Sequence, residues 1–270
     1  VDMDGENTES SARVVAASLS QEETQALLQE SATQHIEINA VLLAALQQAF
    51  AAWMGERDLM IGLEGHGREQ IEEGGQHAGV DISRTVGWFT TLYPVRLPAI
   101  GHGNPDEALR VVSEQLRRVP GKGIGYGLLR YLGEDAQLQR DLRIQDLPVS
   151  FNYLGQFDQL LADKEADFAL ASESIGPSHS PLARRTHLIE VSGMVVEGRL
   201  RMEWSYSENI YKRETIEDLV EAYVQALRQM IGHCLTADTH LEEVAYVDEG
   251  VSQTDMDAIM AELNQTTGEE

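Results

Sequence analysis

Apolar and polar positions change period several times along the chain, and each change marks an element. ARVVAASL (12–19) carries β-branched residues at its centre and predicts a strand. SQEETQALLQESATQH follows, with Ser20 placed to cap a helix and Glu23 three residues on to complete a capping box. From Ile38, INAVLLAALQQAFAAWMG is apolar on nearly all sides, which predicts a helix buried in the core and stopped at Gly55. RDLMIGLEGHG predicts a buried strand running into a turn, and IEEGGQHAGVD (71–81) a polar loop. ISRTVGWFTTLYPVRLP (82–98) is β-branched and aromatic, broken by Gly87 and closed by prolines. NPDEALRVVSEQLRRVP predicts an amphipathic helix with Asn104 as cap, Pro105 in its first turn and arginines in its last. LPVSFNYLGQFD (147–158) reads as a strand ending in a turn, and residues 187–209 alternate as a β-hairpin turning at Glu197-Gly198. RETIEDLVEAYVQALRQMIGHCL closes the pattern as a long amphipathic helix. Strands and helices interleave without an internal repeat. The class is α/β or α+β, a mixed β-sheet covered by helices.

Composition narrows the function classes. Hydrophobic residues make up 42% of 270, ordinary for a globular chain, but 20 Lys+Arg against 45 Asp+Glu leave a net charge of −25. A surface so acidic repels phosphate backbones and anionic lipid, so nucleic acid and membranes are poor partners. No apolar stretch approaches the roughly 20 residues of a membrane span. The lone Cys234 cannot form an intrachain disulfide; a buried structural thiol in a reducing, cytoplasmic setting is expected. VDMDGENTESS resembles a cut linker more than a signal peptide, and residues 1–11 are expected to be linker. From Leu241 onward there are nine acids and no Lys or Arg. That tail reads as a connector whose one helical pattern, Met256, Ile259, Met260 and Leu263, suits docking on a neighbour.

Few stretches invite chemistry. GLEGHGRE (62–69) concentrates three glycines, a histidine, an arginine and two glutamates at a strand end, where the backbone must turn sharply or approach something closely. Glu64 there is either a solvated loop residue or a carboxylate in a partly dry pocket, able to exchange protons near neutral pH. GKGIGYG (121–127) lacks the Ser or Thr of a phosphate loop and the spacing of a dinucleotide fingerprint. It reads as a tight corner packed on another element. Trp88, Phe89 and Tyr93 form either an aromatic platform or part of the core. His66 has no second ligand at metal spacing and Cys234 lacks clustered ligands, so no metal is expected; His233 beside Cys234 does not face it on a helix, which argues against a Cys–His dyad.

EGHGRE (64–69), RTVGWFT with YPV (84–90 and 93–95), PGKGIGYG (120–127) and FNYLGQ (151–156) together resemble, in order, the signature motifs of epimerization domains of nonribosomal peptide synthetases. VLLAALQQAFAAWMG (41–55) is similar to the helix motif that precedes them, and the likeness runs from about Ala12 to Leu235. It implies a chloramphenicol-acetyltransferase-like lobe over residues 12–236, with 237–270 an acidic linker or docking tail. The family's other lobe carries His-His-x-x-x-Asp-Gly, a stretch that does not occur in this sequence. The chain is therefore expected to be the C-terminal lobe, inactive alone, working with the N-terminal lobe and adjacent synthetase domains.

The implied reaction interconverts L and D forms at the α-carbon of an aminoacyl or peptidyl thioester. The substrate rides on the phosphopantetheine of a peptidyl carrier protein, and no cofactor is bound by this chain. Proton removal on one face and return on the other needs two acid–base groups. Glu64 is implied as one and the missing histidine as the other. Asn152 and Tyr153 are implied donors to the thioester oxygen, or else strand residues bonded within the sheet. Arg68 and Glu69 are expected to pair and stiffen the turn; with His66 they line the pantetheine channel, which Arg84 and Trp88 shape. Two rival readings are a condensation-type, peptide-bond-forming acyltransferase lobe and a non-catalytic lobe that docks carrier protein.

Overall fold

Ser20 caps the helix that follows it as its spacing to Glu23 predicts: its side chain accepts from the Glu23 amide, and the Glu23 carboxylate accepts from the Ser20 amide at 2.7 Å. Each bond satisfies a donor that a helix start leaves without an internal partner. The second carboxylate oxygen of Glu23 accepts from Arg228 Nε on the last helix, also at 2.7 Å. Arg228 first, then the Ser20 amide, hold this carboxyl below its ordinary value.

The structure, a computed structural model, describes residues 1–34, 36–55, 57–68, 72–73, 76–77, 82, 84–100, 104–142, 147–157 and 176–236. Val1–Thr236 form one compact unit; the other, Ala237–Glu270, lies outside the described residues, as does the docking pattern expected in it. The side chain of Cys234 is outside them too. The elements are β1 (Ala12–Ser18), α1 (Gln21–Thr33), α2 (Ile38–Met54), β2 (Leu59–Gly65), β3 (Glu72–Glu73), β4 (Gln76–His77), β5 (Thr91–Leu97), α3 (Pro105–Arg117), α4 (Ile124–Gly127), α5 (Ala136–Asp141), β6 (Val149–Gln156), β7 (Ile189–Val196), β8 (Arg199–Ser207) and α6 (Arg213–Thr236). The 71–81 loop differs from expectation in carrying the short β3–β4 ladder, which pairs Glu72 with His77. Of the described residues from 82 to 98, only those from Thr91 to Leu97 join the main sheet. Glu197 and Gly198 turn the β7–β8 hairpin with φ of 53° and 70°, the primed geometry that matches strand twist.

Six strands form one mixed sheet in the order β1-β8-β7-β6-β2-β5, parallel between β7 and β6 and between β6 and β2, antiparallel elsewhere. Side chains alternate across it. Ile61, Leu63, Val95, Phe151, Val191 and Trp204 are buried on one face, beneath the helices. Trp204 of β8 stacks on Phe50 of α2 at 6.2 Å and meets Tyr223 of α6 edge-on at 5.4 Å, joining sheet to helices through aromatic contact. α2 lies between α3 and α6 as well as on the sheet, which is why it is apolar all round. On the opposite face Val14, Leu92 and Leu154 are exposed.

The first eleven residues, expected to be linker, are bonded to the rest of the unit. The amides of Asp2 and Met3 donate to the Ile210 carbonyl at 2.9 and 3.0 Å, and the Asp2 carboxylate accepts from the Lys212 amide at 2.8 Å. Thr8 bridges to Arg184, and Asn7 Nδ2 donates to the carbonyls of Arg185 at 3.3 Å and His187 at 2.8 Å. Polar composition alone suggested a solvated segment; here the polar groups are spent on backbone partners across the fold.

Candidate functional site

Strand pairing lines up the open-face residues in rows. Gly62, Ser150, Glu190, Ser205 and Val14 stand side by side in one row. Asn152, Ser192, Glu203 and Ala16 form the next, with Glu64 beside Asn152 at its end. Side chains of both rows, with His187, line a cavity of about 260 Å³. The buried apolar residues that fix this register point the other way, so the packing of the core sets which polar groups meet outside it.

Glu64 is half-buried, and Asn152 Nδ2 donates to its Oε2 at 2.7 Å. Burial, the largest cause, holds the carboxyl above its ordinary value; His187 acts against that shift and Glu190 adds to it. Of the two readings open for Glu64, the partly dry pocket is the one found. Such a group takes and returns a proton closer to neutral pH than a solvated glutamate does.

The glycines after Glu64 serve close approach. Gly67 is buried with φ +65°, and a side chain there would overlap the Phe89 carbonyl oxygen. Arg68 takes advantage of that proximity. Its guanidinium donates to the carbonyls of Ile82 at 2.6 Å, Thr85 at 2.8 Å and Gly87 at 3.4 Å, and lies 4.4 Å from the centre of the Phe89 ring. The expected partner, Glu69, lies outside the described residues. His66 is exposed, and its Nδ1 accepts from the Arg68 amide at 3.0 Å. Arg84 is exposed on the clamped loop, and Trp88 beside it is 91% exposed. Tyr93 is core, so the aromatic trio divides between surface and interior.

FNYLGQ also divides. Asn152 reaches Glu64, but the Tyr153 ring packs near Gly193 and Met202 on the helix-covered face, and its hydroxyl is buried. Burial holds that phenol above its ordinary value. Neighbours on a strand point to opposite faces, so these two cannot serve one oxygen. GKGIGYG forms the expected corner: Gly121, Lys122 and Gly123 have φ of 51°, 49° and 83°, and a Cβ on Gly123 would overlap the Tyr93 ring. Sequence reading missed His187, Glu190 and Arg185. His187 Nδ1 is 2.8 Å from the Leu147 carbonyl, and buried Arg185 reaches Glu190 at 3.1 Å and Ser205 at 2.8 Å. No motif surrounds them; only the alternation of β7 hints that Glu190 faces outward. Among the described residues, no three His, Cys, Asp or Glu side chains gather as metal ligands would, and no single helix is long and apolar enough to cross a membrane.

The family described as Condensation domain matches residues 4–250. One linear gramicidin synthase protein of Brevibacillus parabrevis is 47% identical over 230 residues, covering 84% of this chain and 3% of that protein. A second linear gramicidin synthase protein from the same organism is 40% identical over 267 residues, 98% of this chain and 5% of its own length. Chondramide synthase of Chondromyces crocatus is 40% identical over 260 residues, 96% of this chain and 6% of that protein. The chain thus spans only a small part of the curated relatives it matches. The crystal structure of the epimerization domain from the third module of tyrocidine synthetase B superposes with a TM-score of 0.75 at 34% identity, over 87% of this chain and 51% of that one. A structure of condensation domain-mediated chain release from the enacyloxin polyketide synthase gives a TM-score of 0.56 at 13% identity, over 89% of this chain and 44% of that one. At that identity the likeness is of fold, and the fold is the condensation-type, chloramphenicol-acetyltransferase-like one.

Proposed function

The chain belongs to the Condensation domain family, and within that family we propose that it is the C-terminal lobe of a nonribosomal peptide synthetase epimerization domain. The substrate would be an aminoacyl or peptidyl thioester on the phosphopantetheine of a carrier protein. Glu64 removes or returns the α-proton at one face of that carbon, and a group on the partner lobe acts at the other. The observation that carries this reading is the state of Glu64: half-buried on an open sheet face, oriented by Asn152, with its carboxyl held above the ordinary range. The higher identity to an epimerization domain than to condensation-type structures supports it.

Removing the α-proton leaves negative charge spread toward the thioester oxygen, so the site must favour that charge. One Asn152 N–H is directed at Glu64, which suits orienting the acid–base group. Parallel strands are usually covered on both faces, yet among the described residues Glu64, Asn152, Glu190 and Ser192 of β2, β6 and β7 stay only half-buried on one side of the sheet. That openness fits a cleft completed by a second lobe and a carrier protein.

The test uses the complete synthetase protein that contains this domain. Its carrier protein is loaded with an L-aminoacyl group, and the released amino acid is resolved on a chiral column. D product from the wild type, lost in Glu64→Gln, supports the epimerase. Peptide-bond formation with no D product points to the acyltransferase alternative. Carrier binding with neither reaction points to a docking lobe.

A further inference from the structure

We propose that His187 is a positioning residue for Glu64, acting together with Glu190, so that an imidazole and a carboxylate fixed around one cavity bracket the Glu64 side chain on the open face of the sheet. The inference rests on the reading of Glu64 as an acid–base group and adds residues that no motif of the chain contains.

Geometry places His187 first. Gly62 precedes Glu64 by two positions on the same face of β2, and a Cβ built on it would stand 3.6 Å from His187 Cε1. The ring therefore stands at the edge of the gap left by the missing side chain, with the Leu92 and Leu147 methyls 3.2 Å from that same Cβ, and borders the cavity that Glu64 lines. Its Nδ1 is 2.8 Å from the Leu147 carbonyl oxygen. A carbonyl only accepts, so Nδ1 is the donor of that bond, which fixes the orientation of the ring. The backbone is fixed as well, because the His187 carbonyl accepts from Asn7 Nδ2 at 2.8 Å.

Glu190 supplies the carboxylate of the bracket. It lines the same cavity, one row from Glu64. Arg185, whose side chain is 1% exposed, donates to it at 3.1 Å and is itself steadied by Ser205. The ion pair holds Glu190 in place and weakens, without abolishing, its repulsion of Glu64. Among the described residues the other neighbours add little of either sign. β5 and β6 bring the uncharged Leu92 and Asn152, and the Arg96 guanidinium of β5 pairs with Asp58. Glu203 of β8 lines the far side of the cavity. His66 and Arg68 follow on the turn, with the Arg68 guanidinium engaged by carbonyls. An acid–base group must reach both its forms during turnover, and a bracket of an imidazole and a carboxylate keeps either form accessible.

The test follows the Glu64 carboxyl by ¹³C NMR titration in the 270-residue chain, the resonance being assigned from its loss in Glu64→Gln. His187→Asn keeps a donor for the Leu147 carbonyl while removing the imidazole, and should move the Glu64 midpoint upward. Glu190→Gln should move it downward. His187→Gln serves as the second variant should His187→Asn fail to give a native amide spectrum. Shifts of the same sign, or none, overturn the assignment; a purely structural role has no reason to give opposite signs. In the complete synthetase protein the acid limb of the pH–rate profile for D product should move with each midpoint. Opposite midpoint shifts in a synthetase that makes no D product would sink the epimerase reading and leave the bracket standing. Unmoved midpoints in a synthetase that does make D product would sink the bracket alone.

Discussion

Asn152 and Glu64, 88 residues apart in sequence, are joined on adjacent parallel strands by a 2.7 Å bond from carboxamide to carboxylate. The bond holds one carboxylate oxygen and leaves the other to be aimed by the strand. The first prediction separates their roles. In the complete synthetase protein Glu64→Gln keeps size and hydrogen bonding, so only proton exchange is lost, and D-product formation should fall by about 10²–10⁴-fold. Asn152→Ala removes a bond to a charged group, which contributes about 1.5–3 kcal/mol, so a loss of roughly 10- to 100-fold is expected. Chiral analysis of product under single turnover reads both. A larger loss for Asn152→Ala than for Glu64→Gln would reverse the assignment.

Stability should respond to the same carboxyl. Burial raises Glu64 above its ordinary value of 4.5, so the folded chain binds this proton more tightly than the unfolded one. Its contribution to stability is fully present below 4.5 and is lost as pH rises through the raised value. Glu64→Gln does not titrate and should therefore melt higher than the wild type at neutral pH, with the gap closing toward pH 4.5. Paired thermal melts across that range check the sign, and a gap that widens on acidification contradicts it.

The corner at residues 121–123 yields a contrast between glycines. Gly123→Ala must place a methyl in the Tyr93 ring at φ +83° and should cost about 1–3 kcal/mol or more. Gly125 lies within α4 with nothing within 4 Å of where its Cβ would stand, so Gly125→Ala should be neutral or stabilising by about 0.5–1 kcal/mol. Urea unfolding of both variants decides. Equal effects would mean that the corner is not packed on Tyr93.

Arg68→Lys preserves charge but cannot reproduce a guanidinium that donates to three carbonyls and stacks on Phe89. Amide exchange across residues 84–90 should quicken by about tenfold or more, while the melting temperature changes little because the loop is exposed. Protection unchanged in this loop would show that Arg68 does not hold it.

The two ends of the chain should differ. Deleting residues 1–8 removes the bonds to Ile210, Lys212, Arg185 and His187, and at about 0.5–1.5 kcal/mol each should lower stability by about 2 kcal/mol or more. Deleting residues 241–270 should leave the melting temperature of the remaining chain nearly unchanged. Calorimetry on both truncations compares them directly.

Local structure was largely legible in the sequence because short-range rules wrote it: the Ser20–Glu23 box, the Asn104 cap and the Glu197-Gly198 turn each depend on residues within a few positions. Glu64 was legible as a carboxylate between a buried strand and a glycine turn. Its dry setting was not, because burial depends on β6 and β7, which arrive long afterward in the chain. His187, Glu190 and Arg185 escaped for the same reason, being brought to Glu64 by sheet order alone. Tyr153 could have been assigned correctly, since the period of two along a strand already separates it from Asn152. Trp88 could not: nothing in RTVGWFT tells that an arginine 20 positions earlier would pin the loop with that indole outward.

The irregularity in β6 bears on how this lobe can change length. Tyr153 pairs with Gly193 and Gln156 with Val195, so two residues, Leu154 and Gly155, stand against the single Met194. The strand has absorbed an odd residue just beyond the site, and parity is already reset there. One residue inserted between Val149 and Asn152 would exchange inside for outside, turning the carboxamide into the core and an aromatic ring toward Glu64. The same insertion after Gly155 would meet a strand whose register is already out of step. Lineages of this lobe should accumulate insertions and deletions beyond the bulge and none before it, with the bulge acting as an expansion joint between residues that must count and those after them that need not.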